Sequence, residues 1–142
     1  MLVAALDAVS DEVASTALDA IAASSGEPAD RVRAVIRAVM DYVVAAPDRM
    51  RVALVESTAN ATLRARRHAL QDTFAGLIAR EARAIFGDDT WPPPRDHVQG
   101  LLYIAGLSEL VASWLIGELE LSPDELATTA SDSLVALMRQ SR

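Results

Sequence analysis

The chain has 142 residues, enough for one domain that buries roughly 70% of the surface its unfolded form exposes, so a hydrophobic core can hold it without staples. It contains no cysteine, which excludes disulfides, thiolate catalysis and the usual structural zinc sites, and its two histidines, His68 and His97, are too few for an ordinary metal cluster. The formal net charge of −7 argues against the chain holding nucleic acid by itself, because that affinity comes largely from neutralising phosphates with basic side chains.

Every basic residue is arginine and alanine is heavily used, a bias expected of a GC-rich bacterial genome. The first residues, Met1-Leu2-Val3-Ala4-Ala5-Leu6-Asp7, contain no basic n-region, and no apolar stretch reaches the roughly 18 uninterrupted residues of a membrane span. The expectation is a cytoplasmic protein with no membrane partner.

In chain order, Leu2, Leu6, Val9, Val13, Ala17 and Ala20 recur every three or four residues and predict a first amphipathic helix. It starts at Met1 with no capping residue, as though earlier turns preceded it. Ser24-Ser25-Gly26-Glu27-Pro28 breaks the pattern, and Val32, Val35, Ile36, Val39, Met40 and Val43 form the stripe of a second helix closed by Ala46-Pro47. Pro47-Asp48 opens a short third helix through about Glu56. Ser57-Thr58-Ala59-Asn60 is rich in capping residues and precedes a long fourth helix from about Ala61 to Phe86, with Leu63, Leu70, Phe74, Leu77, Ile78 and Ile85 on its apolar face.

Gly87 to Pro94 holds three consecutive prolines and reads as a stiff extended connector. A fifth helix is expected over about Arg95 to Glu120. A sixth begins at Ser122-Pro123-Asp124-Glu125, where the Ser122 hydroxyl can cap the helix and proline takes its first position. The fold class is therefore all-α, one six-helix bundle spanning 1–142.

The fifth helix carries more apolar surface than one core needs: Leu101, Tyr103, Ile104, Leu107, Leu110, Val111, Trp114, Leu115 and Leu119 cover well over half its circumference. It is either wrapped by the other five helices or shared with a partner chain, and Gln99, Glu109 and Glu118 speak against a membrane. Gly106, Ser113 and Gly117 would let a second helix approach closely. The sixth helix adds a stripe of Leu126, Ala130, Leu134 and Leu137. The expected homodimer interface is drawn from Gly106, Leu110, Ser113, Trp114, Gly117 and that stripe.

No Gly-rich phosphate loop, H-E-x-x-H helix, G-x-S-x-G elbow or Asp-rich calcium loop occurs, so no catalytic residue, metal or cofactor is expected. His68, His97 and the cluster Arg64, Arg66, Arg67, His68 read as surface groups, solvated or paired with acids. More informative are polar residues at phases that predict burial. Glu81 falls in the fourth helix's apolar stripe, with Arg67 and Gln71 on its flank. A buried carboxylate is costly unless satisfied, so Glu81 forms an internal ion pair, sits near the bundle's open end, or points into a ligand cavity. Val39, Phe74, Ile78 and Leu107, with the hydroxyls of Tyr42 and Tyr103 and the polar groups of Arg67, Gln71 and Glu81, could line a small-ligand pocket.

The run Leu107-Ser108-Glu109-Leu110, then Trp114 to Leu119, then Leu121 to Leu126, resembles the last two helices of TetR-family transcriptional regulators. Pro47-Asp48-Arg49-Met50-Arg51-Val52 and Leu63-Arg64-Ala65-Arg66-Arg67 are similar to the middle of the same effector-binding domain. The resemblance implies that the last two helices of each subunit pair into a four-helix dimer interface. It also implies that the preceding helices enclose a small-molecule effector, and that DNA is bound only through a helix-turn-helix domain expected before Met1. A helical dimer that carries a small apolar molecule is the alternative.

Overall fold

The computed structural model describes residues 2–139, and all the regular structure in them is helical. The elements are α1 (Leu2–Ala23), α2 (Pro28–Ala45), α3 (Pro47–Leu54), a short 3₁₀ turn (Glu56–Thr58), α4 (Ala61–Phe86), α5 (Arg95–Leu115) and α6 (Pro123–Arg139). The expected helix start at Met1 lies outside the described residues, as does the side chain of Leu2.

Local chemistry accounts for most boundaries. Proline occupies the first turn of α2 and of α3, where its missing N–H costs nothing. Asn60 Oδ1 accepts from the Leu63 amide at 2.8 Å to start α4, and Ser122 Oγ accepts from the Glu125 amide at 3.1 Å to start α6. Arginines satisfy carbonyls at two C-termini: Arg31 donates to Ile21 O at 3.3 Å at the end of α1, and Arg51 to Leu115 O at 2.7 Å at the end of α5.

Burial follows the predicted stripes. Leu6 and Val9 of α1, with Val32, Ile36, Val39, Met40 and Val43 of α2, are buried in one core. Helix α2 lies between α1 and α6, and α4 pairs with α5 in an antiparallel hairpin closed by an Arg83–Asp96 ion pair and by Asp72 Oδ1 with His97 Nε2 at 2.7 Å. Helix α3 bridges α1 and α5. The exposed flank of the α2–α6 contact carries Arg33–Asp132 at 3.0 Å and Arg37–Asp124, pairs of modest energetic weight at that exposure.

Two sequence expectations are corrected here. Helix α5 ends at Leu115, not near Glu120, because Gly117 takes φ +81. Its amide donates to Trp114 O at 3.2 Å while Glu118 N donates to Ser113 O at 3.0 Å, the hydrogen-bond pair of a Schellman stop. Ile116 and Leu119 continue the apolar period past that stop and so hide it from a periodicity reading.

The segment Gly87–Pro94 is a compact turn, not a stiff extended connector, with Thr90 N donating to Gly87 O at 3.0 Å and a cis bond between Pro93 and Pro94. It inserts Trp91 fully into the core, where Nε1 donates to Leu137 O at 3.0 Å. Burying an indole with its N–H satisfied outweighs the extended preference of the prolines.

The contact between α4 and α5 has little tolerance. A Cβ placed on Gly100 would lie 2.4 Å from the Ala75 carbonyl oxygen, whereas one on Gly106 would meet nothing within 4 Å. Gly100→Ala should therefore destabilise the chain by about 1–3 kcal/mol, since backbone must shift to admit the methyl group. Gly106→Ala should be neutral or stabilising by up to about 1 kcal/mol through helix propensity. Urea unfolding midpoints of the two variants check the contrast, and equal midpoints would contradict the packing described.

Candidate functional site

Two apolar cavities of about 100 and 110 Å³ lie side by side among α1, α2, α4 and α5. The first chamber extends toward α3, between Leu6 and Val9 of α1, Met40 and Val43 of α2, Met50, Ala53 and Leu54 of α3, and Arg67, Leu70 and Gln71 of α4. The second is bounded by Ala17 and Ile21 of α1, Val32, Val35 and Ile36 of α2, Ile78, Glu81 and Ile85 of α4, and Leu134 and Met138 of α6. Val13, Val39, Phe74, Ile104 and Leu107 line both, so these side chains form the partition.

Helix α4 supplies one long wall because Arg67, Gln71, Phe74, Ile78, Glu81 and Ile85 recur at alternating steps of four and three and share one face. A second face of the same helix carries Ala75, Ala79 and Ala82, all buried, and Ala75 meets Gly100. Small residues on one face permit the close contact with α5. Larger ones on the other meet space.

Among the residues expected in a pocket, Val39, Arg67, Gln71, Phe74, Ile78, Glu81, Tyr103 and Leu107 all line one chamber or both. Tyr42 lies elsewhere. Its hydroxyl hydrogen-bonds Glu12, which also meets Arg49 Nη1 at 2.8 Å, so Tyr42 belongs to a clasp joining α1, α2 and α3. Burial, and then the bond to the Glu12 carboxylate, pushes the Tyr42 hydroxyl's pKa up.

Tyr103 faces the second chamber with its ring, but its hydroxyl donates to Ala130 O at 2.9 Å, and burial holds its pKa well above the usual phenol range. That hydroxyl is committed to α6. Glu81 lines the second chamber, and the ion-pair partner it has among the described residues is its exposed sequence neighbour Arg80, with Nε 3.6 Å from the carboxylate, so no internal ion pair is formed.

The arginine cluster separates into distinct environments. Arg64 donates to Thr58 O at 2.9 Å, Arg66 pairs with Asp7 at 2.7 Å, and His68 is exposed. Arg67 differs, since its Nε is buried at the wall of the first chamber with no hydrogen-bond partner. The chamber's other polar side chains include Ser10 and Ser108, whose hydroxyls donate to Leu6 O at 2.9 Å and Ile104 O at 2.7 Å. No group of His, Asp or Glu among the described residues is arranged to hold a metal ion.

The residues expected at a dimer interface fall into three sets. Leu126, Ala130 and Leu134 are buried within the chain's own core, on the helix that packs against α2 and barely touches α5. Leu110, Trp114 and Leu137 are partly buried against the same core, and Trp114 Nε1 donates to Leu121 O at 2.8 Å. Gly106 is exposed, Ser113 half-buried, and Gly117 serves as the helix stop described above. The sixth helix's stripe is thus occupied within the chain. Apolar surface remains on α5, where Val98, Leu102 and Ile116 are 53%, 63% and 46% exposed.

Sequence reasoning missed the contributions of α1 and α3 to the chamber walls, Val13 and Met50 among them, because a residue lining a cavity has the same helical phase as one filling a core. It also missed Ile104, which was read only as part of the apolar excess of α5.

No protein-family model matches the chain, and no curated protein and no solved structure is similar enough to it to count as a match. The chemistry of the chambers therefore carries the functional reading.

The Glu12 clasp generates a pH dependence. Its carboxyl is held below the ordinary value of 4.5, first by the Tyr42 hydroxyl and then by the Arg49 guanidinium. A depressed folded-state value contributes stability above the unfolded value and loses it as pH falls through the folded one. Glu12→Gln should be less stable than the parent near neutrality and lose less stability between about pH 6 and about pH 3. Unfolding curves across that range check the prediction, and parallel pH profiles for both proteins would refute it.

Proposed function

We propose that this chain is the ligand-sensing and dimerisation domain of a cytoplasmic transcription regulator resembling the TetR family, with a small, mostly apolar effector held in the paired chambers. The observation that carries the reading is the pair of adjacent apolar cavities walled by one face of α4. Apolar cavities stay dry and take up small hydrocarbons, and a roughly 150 Å³ example accommodates benzene. DNA would be contacted by another domain, consistent with the net charge of −7.

The partition residues come from four helices, so occupancy would bear on how α1, α2, α4 and α5 sit against one another. An effector favouring one arrangement by about 1–3 kcal/mol would shift an attached DNA-binding equilibrium about 5- to 150-fold.

The partner surface in this proposal is the exposed stripe of α5, Val98, Leu102, Ala105 and Gly106, with Ile116 just past its end. Helix α5 spans 21 residues, and the mean hydropathy of its most apolar stretch is 1.3, enough by length and composition to cross a membrane, with 33% of that stretch buried in the fold. Exposed Glu109 lies within the stripe, and Asp72 and Asp96 pair with residues at the start of the hairpin. Those charges favour a second protein surface over a bilayer.

Octanol at about a hundred times its dissociation constant should raise the melting temperature by about 5–10 °C, as binding to the folded state alone requires. Phe74→Trp, which fills the partition, should abolish the shift. A melting temperature unmoved by octanol would sink the ligand-binding half of the proposal.

Leu102→Glu should dissociate the dimer while leaving the helical spectrum intact, since it places a charge in the shared face alone. Leu134→Glu should instead unfold the chain, because Leu134 belongs to its own core. Sedimentation of the parent as a monomer at micromolar concentration would remove the dimer claim.

A further inference from the structure

We propose that the paired chambers select an amphipathic anion, a carboxylate with a hydrocarbon body of medium length, and that Arg67 is the group that recognises it. The inference rests on the ligand-binding reading above and adds the chemical class of the ligand.

Arg67 stands at an otherwise apolar wall with its Nε buried and without a hydrogen-bond partner. No carboxylate pairs with it among the described residues. A guanidinium offers five donors in a planar fork matched to a carboxylate. Leaving one of them buried and unpaired is costly, so a site that does this is incomplete without an acceptor.

No side chain of the chamber accepts from Arg67 Nε. The Ser10 and Ser108 hydroxyls lie against carbonyls of their own helices, and the remaining polar group is Gln71, one turn along α4 from Arg67, whose amide is also without a partner among the described residues. Arg67 and Gln71 thus stand one turn apart on the same wall. Arg67 is itself only partly buried, so a carboxylate bound there keeps some contact with water while its hydrocarbon body enters the chamber.

The far end of the system argues against a second ionic group on the ligand. Glu81 lies about 21 Å from Arg67 along α4, given the helical rise per residue, and already has Arg80 beside it. The space between is hydrocarbon. At the density of benzene in a roughly 150 Å³ cavity, the two chambers together take about eight heavy atoms once the Phe74 ring turns aside.

Calorimetric titration of the chain with octanoate, octanol and octylammonium, which share a body and differ in head-group charge, tests the inference. Octanoate should bind at least about tenfold more tightly than octanol, the range expected of charge-assisted hydrogen bonds, and octylammonium more weakly than either. Arg67→Gln should remove the preference for octanoate over octanol, while Arg67→Lys should keep part of it. Equal affinity of the parent for octanoate and octanol would overturn the anion inference and leave the ligand-binding reading standing. A preference for octanoate that survives in Arg67→Gln would also overturn it. Failure of all three compounds to bind would overturn the ligand-binding reading itself.

Discussion

A methyl group at Gly100 would sit 2.4 Å from the Ala75 carbonyl oxygen, and the arrangement of the helices around the chambers depends on that approach of α5 to α4. The alanines at 75, 79 and 82 lie on one face of α4 and keep that side thin. The bulkier residues of the adjoining face are thereby turned toward α1 and α2. Phe74, next to Ala75 in sequence, points about 100° around the helix from it and stands in the partition between the chambers. A small face and a large face on one helix give a tight contact and a loosely filled one side by side.

The polar chemistry outside the chambers is largely closed on itself. With no lysine in the chain, arginine does all the cationic work: Arg31 and Arg51 satisfy helix-terminal carbonyls, Arg33 and Arg37 tie α2 to α6, Arg49 and Arg66 tie α3 and α4 to α1, and Arg83 closes the α4–α5 hairpin. Among the described residues two buried side-chain polar atoms stand apart as unpartnered, Arg67 Nε and Thr90 Oγ1. Thr90 sits beside fully buried Trp91 in the α4–α5 turn. Arg67 alone of the two lines a cavity.

Much of this was legible in the sequence. The Asn60 cap, the proline starts of α2 and α3, and the Ser122 cap are local signals acting within one turn, and the observed bounds of α4 coincide with those expected. The chamber-lining face of α4 was legible for the same reason: helical phase places 67, 71, 74, 78 and 81 together whatever surrounds them. Phase says nothing of what a buried stripe meets. The stripe of α6 was expected to face a partner chain, and it faces α2. Tyr42, at the edge of its stripe, turned toward Glu12 because a carboxylate thirty residues away in sequence was within reach, a tertiary fact without a local signature. Gly117 ended α5 where the apolar period ran on, since a left-handed glycine and a closely packed glycine look alike in sequence. Trp91 reached the core from a turn whose prolines suggested extended chain, and its burial depended on a carbonyl of α6 being present to accept its N–H.

The central claim is that the chambers are a binding site and not a packing defect. Methyl-labelled NMR of the chain with octanol addresses it most directly, because valine, leucine and isoleucine methyls line both the chambers and the exposed stripe of α5. The account predicts nuclear Overhauser contacts from the ligand's methylene protons to the methyls of Val13, Val39, Ile104 and Leu107, which form the common wall. Contacts confined to Val98, Leu102 and Ile116, or no intermolecular contacts at saturating ligand, would contradict it.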